Sequence, residues 1–201
     1  MVPVVVFDLG KVLVDFDYSI AAQKVAARSS RKMEHLDEFL SGSPSLVQFE
    51  SGLLTARQFF SQVQQATGFQ GGADEFAAYF AEIFKPMPDM VKLHAGLRKK
   101  RIPTYIFSNT NEIAVEHIRK KFPFFSNFDG YILSYEVGAM KPQAKIYEAL
   151  ETLSRRRAGD IIYIDDRAEN VQAGSARGWR GVLHESPQKT RAALDTLLAR
   201  G

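Results

Sequence analysis

The chain alternates short apolar runs with longer segments of helical periodicity. The runs are rich in β-branched and aromatic residues and are too short to be helices, which is typical of buried strands. They cover residues 4–7, 104–107, 131–133, 161–164 and, more weakly, 181–183. Helical segments lie between and after the later runs, at residues 90–100, 112–122, 143–154, 169–177 and 188–199. This alternation predicts the α/β class, with a Rossmann-like, doubly wound parallel sheet that binds ligands at the carboxyl ends of its strands.

One long stretch interrupts this alternation. From residue 17 to about residue 85 the pattern is helical, with breaks only at groups of turn-forming residues, and it contains no convincing strand. The stretch begins directly after the first strand and ends near the segment Pro86-Met87-Pro88. We therefore predict a discontinuous core domain, residues 1–16 and 88–201, and an all-helical cap, residues 17–87, inserted over the carboxyl end of the first strand.

Composition and charge narrow the classes of function. The chain has 201 residues, of which 45% are hydrophobic and 24% charged, enough for one buried core with a small insert. It has no cysteine, which excludes disulfides, thiolate metal ligands and a cysteine nucleophile. The net charge of +3 comes without a basic stripe interleaved with aromatic residues, so we do not expect nucleic-acid binding.

The apolar run at residues 1–7 is short and has no basic segment before it, unlike a signal peptide. Together with the lack of cysteine, this predicts a cytoplasmic protein with no membrane partner. We expect a monomer or weak dimer whose partner is a small-molecule substrate.

Polar side chains directly follow the predicted strands. Asp8 follows the first run, Ser108 and Asn109 follow the second, and Asp165 and Asp166 follow the fourth. Because the carboxyl ends of parallel strands meet at one edge of a sheet, ligands bind there. Taken singly, Asp8 is as consistent with a turn cap, and Ser108-Asn109 with a helix N-cap. Their shared position indicates a functional site.

Two further features suggest the chemistry of this site. Lys141 precedes Pro142, which can begin the next helix and so fix the direction of the cation. The adjacent carboxylates of Asp165 and Asp166 repel each other unless a cation offsets their charge, and oxygen ligands of this kind suit Mg²⁺. Asn170 lies one helical turn further on. The helix after the second strand offers backbone N–H groups to a phosphoryl oxygen.

In their order and spacing, these residues resemble the four motifs of the haloacid dehalogenase (HAD) superfamily. The matching segments are Phe7-Asp8-Leu9-Gly10, Phe107-Ser108-Asn109-Thr110, Met140-Lys141-Pro142 and Asp165-Asp166. The likeness spans essentially the whole chain and implies the HAD fold. The insert is similar to the cap of the subclass that includes haloacid dehalogenases and sugar-phosphate phosphatases. Within the superfamily, the motifs most resemble those of bacterial α-D-glucose-1-phosphate phosphatases.

The resemblance implies a nucleophile and a cofactor. Asp8 would attack phosphorus to form an aspartyl-phosphate, which water then hydrolyses. Mg²⁺ would lie between Asp8, the carbonyl of Gly10 and Asp166, with Asp165 supporting the metal site. The implied function is Mg²⁺-dependent hydrolysis of small phosphorylated metabolites, in particular sugar phosphates such as glucose-1-phosphate.

The resemblance also implies how the substrate is held. Ser108 and the backbone N–H of Asn109 would bind phosphoryl oxygens. Lys141 would act in catalysis by balancing the charge on Asp8 and on the transferred group, and Asn170 would orient a ligand or water.

Gly10 departs from the Asp-x-Asp pattern common in these phosphatases, in which the second Asp protonates the leaving group. Loss of such a general acid costs about 10²- to 10⁴-fold in rate. An anomeric oxygen leaves more readily than an alkoxide, so a sugar-1-phosphate would tolerate the loss best. Asp15 or Asp17 could replace the acid, although capping or solvated carboxylates are the simpler interpretation of both.

Two other functions stay open. In a 2-haloacid dehalogenase Asp8 would attack carbon without a metal, and those enzymes also lack the second Asp. A HAD-like module without catalysis is the other alternative, because a fold alone does not fix an activity. The need for a divalent cation separates the phosphatase from the dehalogenase.

Overall fold

The computed structural model describes residues 2–199, which form an α/β core and a helical insert. The strands are β1 (Val4–Phe7), β2 (Val14–Phe16), β3 (Phe84–Pro86), β4 (Thr104–Ser108), β5 (Gly130–Leu133), β6 (Ile161–Asp165) and β7 (Arg180–Leu183). The helices are α1 (Tyr18–Ala27), α2 (Leu36–Gly42), α3 (Pro44–Glu50), α4 (Ala56–Thr67), α5 (Ala73–Ala81), α6 (Pro88–Lys99), α7 (Glu112–Lys121), α8 (Ser134–Val137), α9 (Ala144–Ser154), α10 (Ala168–Ala176) and α11 (Pro187–Ala199).

The central sheet of the described residues is parallel, with the strand order β5-β4-β1-β6-β7. The first strand in sequence is thus the middle strand in space. Phe7 pairs with Ile106 of β4 and Ile164 of β6. The residue that follows, Asp8, therefore lies between the carboxyl ends of β4 and β6, where an open α/β sheet binds its ligands.

Helices cover both faces of the sheet, and the side chains of β1 alternate between the two faces. Val5 and Phe7 pack in one buried cluster, which also contains residues of α6, α7 and α11. Val4 and Val6 pack in a second cluster on the other face, with residues of α9 and with Trp179. The predicted doubly wound α/β fold is confirmed.

Helices α1 to α5 form the insert, which has an aromatic core of its own. Phe59 is fully buried and packs against Phe49, Phe76 and Phe80, with ring centroids 4.9 to 5.9 Å apart. At its base, β2 and β3 pair as an antiparallel two-stranded ribbon. The strand β3 begins at residue 84, inside the stretch that we expected to lack strands. It was not predicted because three residues are too few to show an alternating pattern. The division into 1–16 and 88–201 against 17–87 stays a prediction.

The predicted core strands and long helices are present, with ends that differ by one or two residues. The short helix α8 and the 3₁₀ turns Pro123–Asn127 and Ala158–Asp160 were not expected. We had expected Pro142 to begin a helix, but it does not. Gln143 has extended backbone angles and α9 begins at Ala144. Among residues 2–199, no helix is both long enough and apolar enough to cross a bilayer.

His94 is a buried titratable group of the core. Its ring stacks on Phe128 with centroids 3.9 Å apart, and Nε2 lies 3.1 Å from Thr104 Oγ1. Burial, with a contribution from Arg98, lowers the pKa of His94 from 6.5 to about 4. The folded state therefore keeps this histidine neutral where the unfolded chain protonates it.

We predict that His94 makes the protein less stable as the pH falls below 6.5. Its contribution is fully present above that pH and should cost about 2 kcal/mol between pH 7 and pH 5. Urea unfolding of wild type and of His94→Gln at both pH values measures this difference. The variant should lose about 2 kcal/mol less than wild type over the interval; an equal loss in both proteins would contradict the assignment.

Candidate active site

Three carboxylates converge at the carboxyl ends of β1 and β6. Asp8, Asp165 and Asp166 each offer an oxygen, and these oxygens lie within 4.8 Å of one another. Asp8 and Asp165 are buried, whereas Asp166 is partly exposed. The prediction that strand order brings these residues together agrees with this geometry.

Lys141 places a buried positive charge among these carboxylates. Its Nζ lies 3.0 Å from Asp8 Oδ1 and 2.6 Å from Asp165 Oδ2, and it donates to the Phe107 carbonyl at 2.9 Å. Burial opposes the charge on Lys141, but Asp8 and Asp165 outweigh it, and the pKa is raised. Lys141 is therefore a fixed cation at the carboxyl ends of β1, β4 and β6.

Asp165 is fully buried and accepts hydrogen bonds on both oxygens. Oδ1 accepts from the Arg167 backbone N–H at 2.8 Å and from Asn170 Nδ2 at 3.1 Å. Oδ2 accepts from Lys141 Nζ and from the Tyr163 hydroxyl. Asp165 thus positions Lys141, and Asn170 positions Asp165. We had expected Asn170 to orient a ligand or water, whereas here it contacts Asp165. Sequence reasoning missed Tyr163, because a tyrosine within a strand is typical of a core residue.

The second motif holds the Lys141 loop through a side chain. Asn109 Oδ1 accepts from the Lys141 backbone N–H at 2.7 Å, and its Nδ2 donates to the Lys141 carbonyl at 3.1 Å. The backbone N–H of Thr110 donates to Ser134 Oγ at 2.9 Å, which donates back to the Thr110 carbonyl at 3.0 Å. Ser134 was not predicted as a site residue, and no local pattern marks it, since its partner lies 24 positions away.

A cavity of about 300 Å³ opens above the carboxylates. It is lined by Asp8, Gly10, Lys11, Phe16, Tyr18, Ser41, Leu46, Glu50, Asn109, Met140, Lys141, Asp166, Arg167 and Asn170. A narrower cavity of about 50 Å³ is lined in part by Ser108, and Gly10 and Asn109 line both. Of the predicted residues, Asp165 lines neither cavity. Sequence reasoning missed the cap side chains, because no pattern shows which of them face the core.

Phe16 occupies the space beside Gly10. A β-carbon built at Gly10 would lie 2.9 Å from Phe16 Cε1, which is closer than such contacts allow. The Phe16 ring packs against Tyr18 and Phe84, at centroid distances of 5.6 and 5.9 Å. The side-chain acid common at this position is therefore absent, and its space is filled by an aromatic ring held by its neighbours.

Asp15 and Asp17 have other partners. Asp15 is exposed and accepts from Lys11 Nζ at 2.5 Å, and Asp17 caps α1 by accepting from the Ser19 backbone N–H at 2.9 Å. These hydrogen bonds lower the pKa of both carboxyl groups. Neither residue lines the cavity over Asp8. The simpler interpretation of both acids agrees with the structure.

The carboxylate cluster has the chemistry of a divalent-cation site. Burial raises the pKa of Asp8, Lys141 opposes this rise and Asp165 adds to it. Burial and then Asp165 raise the pKa of Asp166 as well. A single lysine cannot neutralise three carboxylates, and every donor in the cluster is an oxygen. The residues present therefore fit Mg²⁺.

Known proteins of similar sequence span nearly the whole chain. It is 26% identical to D-ribitol-5-phosphate phosphatase of Bacteroides thetaiotaomicron over 207 aligned positions, covering 98% of this chain and 99% of the relative. It is 27% identical to the pyrimidine 5′-nucleotidase YjjG of Escherichia coli over 201 positions, covering 90% of this chain and 88% of the relative.

A solved structure has the same fold. It is a HAD family enzyme from Bacteroides thetaiotaomicron in complex with magnesium and inorganic phosphate, with a TM-score of 0.82 and 22% identity over 92% of this chain and 95% of that chain. A family model described as haloacid dehalogenase-like hydrolase matches residues 2–178. The predictions of a HAD superfamily member and of a hydrolase are confirmed: the chain belongs to the haloacid dehalogenase-like hydrolase family.

Proposed function

We propose that this protein is a Mg²⁺-dependent phosphatase that hydrolyses small phosphate monoesters through an aspartyl-phosphate on Asp8. The observation that carries the proposal is the buried Lys141, held between Asp8 and Asp165 beside Asp166 at the floor of the cavity. Lysine and carboxylates in this arrangement suit phosphoryl transfer, which depends on positioned charge. The two relatives, a D-ribitol-5-phosphate phosphatase and a pyrimidine 5′-nucleotidase, are named for the hydrolysis of phosphate esters and support the same class.

Asp8 is positioned to attack phosphorus. Its Oδ1 accepts from the Leu9 backbone N–H at 2.7 Å and lies 3.0 Å from Lys141 Nζ, so this oxygen is held and Oδ2 is left for the attack. Asp8 would form the new oxygen–phosphorus bond as the substrate's alcohol leaves. Lys141 would hold charge on Asp8 and on the phosphoryl group, with Ser108 and the Asn109 N–H binding phosphoryl oxygens.

Asp8, Asp166 and the Gly10 carbonyl are the groups that would hold Mg²⁺, with Asp165 supporting the site through its hydrogen bonds. Bound there, Mg²⁺ would offset negative charge between the nucleophile and the phosphate. The protein supplies the rest of the arrangement through Lys141 and the Asn109 contacts to its backbone.

The cavity supports a polar substrate. Beside the carboxylates it is lined by Lys11, Ser41, Glu50 and Arg167, which can hydrogen-bond to hydroxyl groups. Its volume of about 300 Å³ suits a small metabolite. We therefore propose sugar phosphates such as glucose-1-phosphate as the substrate class.

Gly10 favours one second candidate, 2-haloacid dehalogenation. In that reaction Asp8 would attack the carbon that carries the halogen. The partly exposed Asp166 would repel the substrate carboxylate unless a cation were bound beside it. A module without catalysis would give no reason for keeping a lysine and its carboxylates buried. Burying each charge costs roughly several kcal/mol, which pairing only offsets.

We predict metal-dependent phosphate release that needs Asp8. Wild type should release phosphate from a sugar-phosphate panel with Mg²⁺ and lose this activity in EDTA. Asp8→Asn should lower kcat by about 10⁴-fold or more, because an amide is a poor nucleophile. Asp195→Asn, which changes an exposed carboxylate on α11 outside the cavity, is the matched control and should keep wild-type activity. Halide release from a 2-haloacid in EDTA would instead establish the dehalogenase.

We predict that Mg²⁺ stabilises the protein through Asp166. At a Mg²⁺ concentration about 100 times Kd, binding adds about 2.7 kcal/mol, which raises Tm by roughly 5 to 10 °C for a chain of this size. Asp166→Asn should abolish most of this shift, as measured by calorimetry without substrate. Asp195→Asn should keep it. A full shift in Asp166→Asn would show that the cation binds elsewhere.

A further inference from the structure

Phosphate esters with an ordinary alcohol as leaving group need a proton donor, and Gly10 has no side chain to provide one. Phe16 fills the space beside Gly10, and Asp15 and Asp17 lie outside the cavity with hydrogen-bond partners of their own. A donor for this reaction has to come from another element. The cap is the part of the chain that covers Asp8.

Glu50 is the cap carboxylate that faces the site. It is the last residue of α3 and lines the cavity over Asp8 and Lys141. It also lines the narrower cavity, together with Ser108 and Asn109. Glu50 thus lines both the cavity that contains Asp8 and the one that contains Ser108, as Gly10 and Asn109 also do.

The backbone next to Glu50 is held against the core. Gly52 has a φ of +71°, and a β-carbon there would collide with the Tyr135 carbonyl oxygen. This close approach needs a residue without a side chain. Further along, the Ala56 backbone N–H donates to Glu112 Oε1 at 2.6 Å, which joins the start of α4 to the start of α7. The end of α3 therefore has a defined position over the active site.

Burial raises the pKa of Glu50 to about 7, and a hydrogen bond from Asn111 opposes that rise. Asn111 is buried and caps α7, accepting from the Ala114 backbone N–H at 3.0 Å. The cations that share the cavity have other partners: Lys11 contacts Asp15, Lys141 contacts Asp8 and Asp165, and Arg167 contacts Glu169. Such a carboxyl group can both donate and accept a proton near neutral pH.

We propose that Glu50 is the general acid and base of this enzyme, in place of the side chain missing at Gly10; the inference rests on the proposed phosphatase function. As Asp8 bonds to phosphorus, the bond from phosphorus to the ester oxygen breaks and the Glu50 proton passes to that oxygen, which leaves as an alcohol. The Glu50 carboxylate then takes a proton from water as that water attacks the aspartyl-phosphate. The bond to Asp8 breaks, inorganic phosphate is released and Glu50 is protonated again.

A donor in the cap changes what Gly10 implies about substrates. Without any acid, an anomeric oxygen would be the favoured leaving group. With Glu50 as donor, an ordinary sugar or polyol alkoxide can leave as well. The enzyme is then not restricted to sugar-1-phosphates.

The test compares Glu50→Gln with wild type on two esters: p-nitrophenyl phosphate, whose leaving group needs no proton, and the alkyl phosphate that wild type hydrolyses fastest. On the alkyl ester the variant should lose about 10²- to 10³-fold in kcat. On p-nitrophenyl phosphate it should release one equivalent of p-nitrophenol in a burst near the wild-type rate. Slow turnover should follow, because water is no longer activated.

The exposed Glu38→Gln, the same change elsewhere in the cap, should match wild type on both esters. Stabilisation of Glu50→Gln by Mg²⁺ shows that the variant is folded with its metal site intact. The inference is overturned if Glu50→Gln keeps wild-type kcat on the alkyl ester, or if burst and turnover slow together, as a merely structural role predicts. A wild type inactive on every ester would overturn the proposed function, and this inference with it.

Discussion

The site depends on the ammonium group of Lys141, which is buried among groups from β1, β4 and β6. A buried charge is tolerated only when it is paired and hydrogen-bonded, and here Asp8, Asp165 and the Phe107 carbonyl do both. The order of the strands makes this possible, because β1 lies between β4 and β6. The same cation that holds Asp8, the proposed nucleophile, thus connects the ends of three neighbouring strands.

Neighbouring side chains hold Lys141 and its partner Asp165 in place. Asn109 hydrogen-bonds to both the N–H and the carbonyl of the Lys141 backbone. Asn170 and Tyr163 donate hydrogen bonds to the Asp165 carboxylate. The carboxylate cluster still exceeds the charge of one lysine, which is the physical reason that a divalent cation fits there. The reactivity proposed for Asp8 therefore depends on packing and strand order together.

Residues at strand ends could be predicted from the sequence, because short apolar runs show where strands end and the carboxyl ends of parallel strands lie at one edge of the sheet. Asp8, Asp165 and Asp166 were predicted in this way, and Lys141 was predicted from its place before Pro142 and from the family resemblance. The side-chain role of Asn109 could not be predicted, since it depends on hydrogen bonds to Lys141, which is 32 residues away in the sequence. Glu50 could not be either, because its relation to Asp8 depends on how α3 packs against the core. Likewise, Gly10 reads in the sequence as a lost acid, whereas the structure shows a space filled by Phe16.

The central claim is that Asp8 becomes covalently bonded to phosphorus during turnover. Rapid acid quenching of wild type during hydrolysis of p-nitrophenyl phosphate, followed by peptide mass spectrometry, tests this most directly. The account predicts a phosphorylated peptide with the modification on Asp8, in larger amount in Glu50→Gln, in which hydrolysis of the intermediate is slowed. Steady phosphate release with no phosphorylated Asp8 at any time, or with the phosphoryl group on another residue, would contradict it.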